Sequence, residues 1–146
     1  MFAVVGDGCF MMTCMEIVTA VSLGLGIVYY VFHDGELAQI AQAQRLPYRR
    51  APCTQIGAVD LCALAQATGA RFVGIANDAQ LASAIAQARG MAAGNRPVIV
   101  DVAVDYSRPT AFTTGTIRTN FHRFPLAQKA RIVGRMVRRS LAAPGR

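Results

Sequence analysis

Two short acidic turns hold the residues best suited to chemistry. They read Gly6-Asp7-Gly8-Cys9 and His33-Asp34-Gly35-Glu36, and they set Asp7 and Asp34 27 residues apart. The first 44 residues contain no Lys or Arg, yet they hold four of the eight acids: Asp7, Glu16, Asp34 and Glu36. Glycines on both sides of Asp7 allow a tight backbone and close approach of a ligand. A helix starting behind them would offer unpaired N–H groups and its positive dipole end, which suit a phosphate. Asp7 alone would repel that phosphate. A hard divalent cation between the two resolves the conflict, because it takes protein oxygens on one side and phosphate oxygens on the other. Asp34 would supply the second carboxylate, and the main-chain carbonyl of Glu36 a third oxygen. A lone Gly-Asp-Gly is common in ordinary turns, so the reading depends on elements that bring the two turns together.

The order of apolar segments supplies such elements. Phe2–Val5 reads as a short strand ending at Gly6. Phe10, Cys14, Ile17 and Val21 have helical spacing and predict a helix over 10–23. Ile27–Phe32 is a strand without polar alternation, as expected of one buried on both faces. Gly35–Gln44 predicts a polar helix, and Arg45–Gln55 an extended segment because Pro47 and Pro52 oppose helix. Val59–Thr68 predicts a helix closed by Gly69, and Phe72–Ile75 a strand. Asn77 or Asp78 would cap a helix over 79–93 that Gly94 ends, and Pro97–Val104 is a strongly apolar strand. The remainder predicts a loop and then a basic helix from about Pro125 to Leu141. Four strands separated by helices imply an α/β fold: a parallel sheet with helices on both faces. In such sheets ligands bind beyond the carboxyl ends of the strands, where both acidic turns lie.

Composition narrows the classes further. The chain has 146 residues, 53% apolar and 16% charged, enough for a core and contrary to disorder. Cys9, Cys14, Cys53 and Cys62 form no C-x-x-C pair, and His33 and His122 are not spaced as zinc ligands beside them, so they read as small buried residues. The start, MFAVVGDGCF, has no positive region and carries an acid at position 7, which excludes a signal peptide. The uncharged stretch 17–32 is shorter than the roughly 20 residues of a spanning helix and is broken by Gly24 and Gly26. The expected location is cytoplasmic.

A longer pattern gives the acidic turns a context. Val4-Val5-Gly6-Asp7-Gly8-Cys9-Phe10, then Met12, then Glu16–Val21, then the apolar strand ending in His33-Asp34, resembles the signature of thiamine-diphosphate-dependent enzymes, of the acetolactate synthase-like group. Pro47-Tyr48, Thr68-Gly69 and Arg96–Val102 are similar to the family's carboxyl-terminal portion. The tail from Phe112-Thr113-Thr114-Gly115 through Asn120, Arg123 and Pro125 is similar to one bacterial branch. The resemblance implies a thiamine-diphosphate-binding fold with thiamine diphosphate and Mg as cofactors, and decarboxylation or carboligation of a 2-keto acid. It makes Asp7 and Asp34 the side-chain ligands of the ion and Glu36 the main-chain ligand. It places Gly6, Gly8, Cys9, His33 and Gly35 around the diphosphate. His33-Asp34 stands where the family has Asn-Asn, and a second carboxylate should weaken the ion's pull on the diphosphate. Ala38 and Gln39 also depart from the family pattern near the diphosphate.

The resemblance further implies that the domain is incomplete at its N-terminus. The Glu that activates the aminopyrimidine belongs to an upstream domain, so this chain supplies no catalytic residue and needs upstream domains or another subunit, in a homo- or hetero-oligomer. Glu16, Tyr29, Tyr30, Met11, Met12 and Met15 read as ordinary helix and core residues. The expected division is a cofactor-binding domain over 1–106 and a basic loop and helix over 107–146 packed on it. Two rival readings are a non-catalytic truncated remnant and a basic interaction module acting through residues 118–146. In the tail, Ile132, Val133, Met136, Val137 and Leu141 form an apolar stripe that favours packing, and no aromatics interleave for base stacking, which speaks against nucleic acid.

Overall fold

The computed structural model describes residues 1–48, 50–106 and 111–141, with side chains 46–48, 112, 113, 116, 117, 120 and 139–141 left aside. Of the tail motif, Phe112, Thr113 and Asn120 therefore fall outside the described side chains, as does Arg139. The described residues form two compact units, Met1–Glu36 with Gln55–Asp105, and Leu37–Thr54 with Tyr106–Arg146.

The first unit is a four-stranded, wholly parallel sheet. Its strands are β1 (Phe2–Gly6), β2 (Val28–His33), β3 (Arg71–Ile75) and β4 (Val98–Ala103), in the order β1-β2-β4-β3. Connecting them are α1 (Asp7–Thr13), a 3-10 turn (Cys14–Glu16), α2 (Ile17–Ser22), α4 (Leu61–Thr68) and α5 (Leu81–Ala93). Side chains alternate across a strand, so the two inner strands serve two cores. Val31 and Ile99 join Phe10, Cys14, Ile17, Leu61 and Ala65 on one face. Val28, Val98 and Val100 join Val73, Ile75, Ala84 and Ala88 on the other. Burial on both faces explains why β2 and β4 read as apolar runs without polar alternation, interrupted in β4 by Asp101 alone. Each fully buried Val or Ile contributes roughly 1.5–3 kcal/mol. Just before β2, the backbone packs tightly at Gly26, where a Cβ would run into the Ala92 carbonyl oxygen.

Several expected elements differ. The helix expected over 10–23 is broken, because Thr13 leaves helical dihedrals (φ −134°, ψ 5°) and the chain tightens into the 3-10 turn. Phe10, Cys14 and Ile17 still face the core. Met12 and Met15 are exposed rather than packed, and Cys9 and Cys53 are exposed, leaving Cys14 as a buried cysteine. Asn77 makes no capping bond; a 3-10 turn (Asp78–Gln80) precedes α5, and the Gln80 side chain accepts the Ala76 N–H at 2.9 Å instead. Gly69 ends α4 as the sequence suggests, with a left-handed φ of 81°, whereas Asp60, which falls inside the helix expected over 59–68, instead caps its start by accepting the Ala63 N–H.

The second unit holds α3 (Ala38–Tyr48), α6 (Ala111–Arg123) and α7 (Leu126–Leu141), with α3 meeting both others. Here α3 runs through Pro47, which the sequence reading made a breaker. The proline sits one residue from the helix end, so its missing donor costs a single bond of the last turn. The loop expected before the basic helix is in fact α6. Its Thr-rich sequence and Gly115 are weak helix formers, and neighbours override that preference. Among the described residues, no helix is long and apolar enough to cross a membrane.

Candidate functional site

The parallel order puts both acidic turns at the same sheet edge. Gly6 ends β1 in register with Phe32 of β2, so Asp7 and Asp34 each follow a carboxyl end. Asp7 opens α1 and is 6% exposed. Its Oδ1 accepts the Gly8 N–H at 2.7 Å, and its Oδ2 accepts the Gly35 N–H at 2.8 Å. One carboxylate therefore ties the first turn to the second across 28 residues. Gly35 can aim its N–H this way because it sits at φ 71°, a left-handed conformation that favours glycine. The N–H groups of Gly8 and Gly35, expected to cradle a phosphate, are directed at this carboxylate.

Asp34 is half-buried beside these groups. Its Oδ1 accepts the Glu36 N–H at a long 3.4 Å. Burial pushes the Asp34 carboxyl above the usual range; the charges of Asp7 and Glu36 add to this, and the Glu36 N–H opposes it. Glu36 forms an antiparallel bridge with Gln55 and accepts the Gln55 Nε2–H at 3.1 Å through its own Oε1. The Ile56 N–H donates to the Gly35 carbonyl at 2.9 Å and the Leu37 N–H to the Thr54 carbonyl at 2.7 Å. The main chains of Glu36 and Gln55 thus make no hydrogen bond to each other, and the Glu36 carbonyl points away from Gln55.

His33 is paired rather than simply solvated: its Nδ1 lies 3.1 Å from Asp101 Oδ1, an ion pair if the ring is protonated. Sequence reading missed Asp101 as part of this corner. Its signal was available, a lone acid inside the apolar strand β4. Gly6 has φ −78° and open space around a hypothetical Cβ, so the backbone itself does not require glycine there. Cys9 lies exposed just behind the turn. Glu16 lies at the end of the 3-10 turn, where it accepts the Thr19 hydroxyl at 3.3 Å.

The donor set suits a hard divalent ion. Each Asp7 oxygen spends one lone pair on an N–H and keeps another, since a carboxylate offers about four acceptor sites. Among the described residues, no three His, Cys, Asp or Glu side chains converge as a metal cage. Two carboxylates and a main-chain carbonyl could hold such an ion only with phosphate oxygens to complete its shell.

Comparison with known proteins bears on what such a corner is for. Residues 1–102 match the family model described as thiamine pyrophosphate enzyme, C-terminal TPP binding domain. The chain is 38% identical over 105 residues to acetolactate synthase of Bacillus subtilis, covering 72% of this chain and 18% of that protein. It is 32% identical over 102 residues to a Mycobacterium tuberculosis protein named as an acetolactate synthase large subunit, covering 70% of this chain and 18% of that one. In fold it is similar to benzoylformate decarboxylase of Polynucleobacter necessarius, with a TM-score of 0.66 at 22% identity over 75% of this chain and 20% of that one. The chain thus spans about a fifth of the length of these relatives.

Proposed function

Because the chain belongs to the thiamine pyrophosphate enzymes, carrying their C-terminal TPP-binding domain in acetolactate synthase-like form, we propose that Asp7, Asp34 and the Glu36 carbonyl hold Mg²⁺ against the cofactor's diphosphate. The whole enzyme would act on 2-keto acids by decarboxylation or carboligation. The observation that carries this reading is the Asp7 carboxylate joined to both turns, which puts oxygen donors from β1 and β2 at one sheet edge. No Lys or Arg occurs in the first 44 residues, which fits a corner where an added ion would meet the diphosphate.

When bound, the cofactor supplies the reactive ring carbon for 2-keto acid chemistry. The residues of this chain hold and orient. Asp7 keeps a fixed direction because two N–H donors grip it. Asp34 brings a second negative charge close to the first, which favours a cation between them. Asp101 fixes the His33 ring through Nδ1 and so keeps it at the same corner. The carboxylate that activates the aminopyrimidine, and the groups that recognise the substrate, come from other segments, of this or another polypeptide in the assembly.

Titration calorimetry with thiamine diphosphate and Mg²⁺ tests the reading. Heat that requires both ligands, whether with the chain alone or after adding a companion carrying upstream domains, and that Asp7→Ala abolishes, supports it. No heat in either arrangement ends the cofactor proposal for this molecule.

A further inference from the structure

The family match ends at residue 102, and beyond it the second unit carries a helix of different character. Along α7, Leu126, Ala130, Val133 and Val137 recur at helical spacing and form one apolar stripe. That stripe is exposed: Leu126 is 84%, Val133 47% and Val137 53% accessible. Further round the helix, Arg131, Arg135 and Arg138 form a second row, also exposed. On a third side Ile132 and Met136 are half-buried, and so is Lys129, whose Nζ lies 5.9 Å from the Phe121 ring centre of α6. The helix therefore has one side anchored within its own unit and two sides turned outward.

We propose that α7 lies on an anionic lipid surface, with the Leu126–Val137 stripe dipping into the acyl boundary and the arginines meeting the headgroup phosphates. A helix with an apolar stripe, a cationic row and low mean hydropathy settles in the interfacial plane rather than across it. Long arginine side chains lay their stems along the apolar boundary and keep the guanidinium in the headgroup layer. Charge complementarity points to an anionic partner, because no acid occurs after Asp105 to offset the basic residues of the tail. A nucleic acid would leave the apolar stripe without a counterpart, and a second copy would bring like-charged rows together. An engulfing protein groove needs most of the circumference, whereas Ile132, Met136 and Lys129 are already held. A plane needs only the outward stripe, and the arginines of the next side reach its headgroups through their long side chains. This inference is independent of the cofactor reading.

Vesicle flotation of the full chain tests it. Vesicles of phosphatidylcholine with about 30% phosphatidylserine should carry at least about tenfold more protein than pure phosphatidylcholine, and rising salt should weaken the binding. Both V133D/V137D and R131E/R135E/R138E should abolish the difference while keeping the parental circular dichroism and the ligand heats of the cofactor test. Should either variant lose the parental spectrum, Val133→Ser with Val137→Ser replaces it as the milder probe. The proposal is overturned by absent anionic-vesicle binding, or by binding that the Val133/Val137 variants leave intact. A dimer in light scattering that those variants dissolve, or binding of a short DNA duplex that they do not alter, each without vesicle binding, overturns it in favour of a second copy or a nucleic acid.

Discussion

Substituting Asp7 separates its service to the fold from its service to a ligand. In the metal-free chain the carboxylate accepts from Gly8 at 2.7 Å and from Gly35 at 2.8 Å. A hydrogen bond to a charged acceptor contributes about 1.5–3 kcal/mol. Both donors are only partly buried, so the lower end applies, about 1.5 kcal/mol each. Asp7→Ala removes both bonds and should cost about 3 kcal/mol. Asp7→Asn keeps one acceptor oxygen but turns an NH₂ toward the other donor, so its cost should be about half of that. Residue-resolved amide exchange in chelator reads this directly. About 1.5 kcal/mol corresponds to roughly a tenfold rate change, so the Gly35 amide should exchange at least about tenfold faster in Asp7→Ala. With a urea slope of about 1.5–2 kcal/mol/M, the unfolding midpoint should fall by about 1.5–2 M. If Gly8 and Gly35 exchange at parental rates in Asp7→Ala, the two turns are not held together by this carboxylate, and the shared corner loses its physical basis.

Three further outcomes follow from the geometry. Gly6→Ala should leave the unfolding free energy within about 0.5 kcal/mol of the parent yet weaken diphosphate binding, since the space around Gly6 is empty of protein, whereas Gly26→Ala meets the Ala92 carbonyl and should destabilise by more than about 2 kcal/mol; equal urea midpoints for the two variants would contradict the packing at Gly26. Burial and the Asp7 and Glu36 charges raise the Asp34 carboxyl, so the folded, metal-free chain binds that proton more tightly than the unfolded one and loses stability as pH rises through the carboxylate range. Asp34→Asn should therefore gain on the parent from pH about 4 to about 7 in chelator, and a constant or shrinking difference counts against it. Phe2 and Val4 are exposed on the sheet-edge strand β1, which carries no Lys, Arg or Pro to block edge pairing. Phe2→Lys with Val4→Lys should lower the apparent mass in concentration-dependent light scattering, and an unchanged profile would clear this edge of self-association.

The sheet was legible in the sequence because its signal is local. The apolar runs at 27–32 and 97–104, the second interrupted by Asp101 alone, already imply strands buried on both faces, and Gly69 marks the end of α4. The family signature likewise pointed to Asp7, Asp34 and Glu36. The breaks were not legible, because neighbours decide them. Thr13 leaves the helix while Pro47 stays in one, the reverse of their usual influence. The AFTTGTIRTNFHR segment folds as α6 against its own preference. The pairings across long separations were equally invisible, since no spacing rule links His33 to Asp101 or Asp7 to the Gly35 N–H.

The grip on Asp7 also bears on how an ion and the fold influence each other. Two N–H donors occupy one lone pair on each carboxylate oxygen and leave the others available, so ligation and turn-holding use the same group without competing for the same electrons. Asp34 and Glu36 bring further negative charge to this corner, and the Asp34 carboxyl is raised chiefly by burial, with the Asp7 and Glu36 charges adding to it. A divalent ion held there as proposed would turn the same repulsion into ligation. Anything that binds only the folded form stabilises it by mass action. The largest stabilisation by Mg²⁺ with diphosphate is therefore expected where the carboxylates crowd most, and a variant that relieves the crowding, such as Asp34→Asn, gains stability without ligand while giving up part of the gain that the ion provides. On the proposed ligation, stability and ion affinity at this corner would oppose each other, which makes the pair of measurements, with and without Mg²⁺, more informative than either alone.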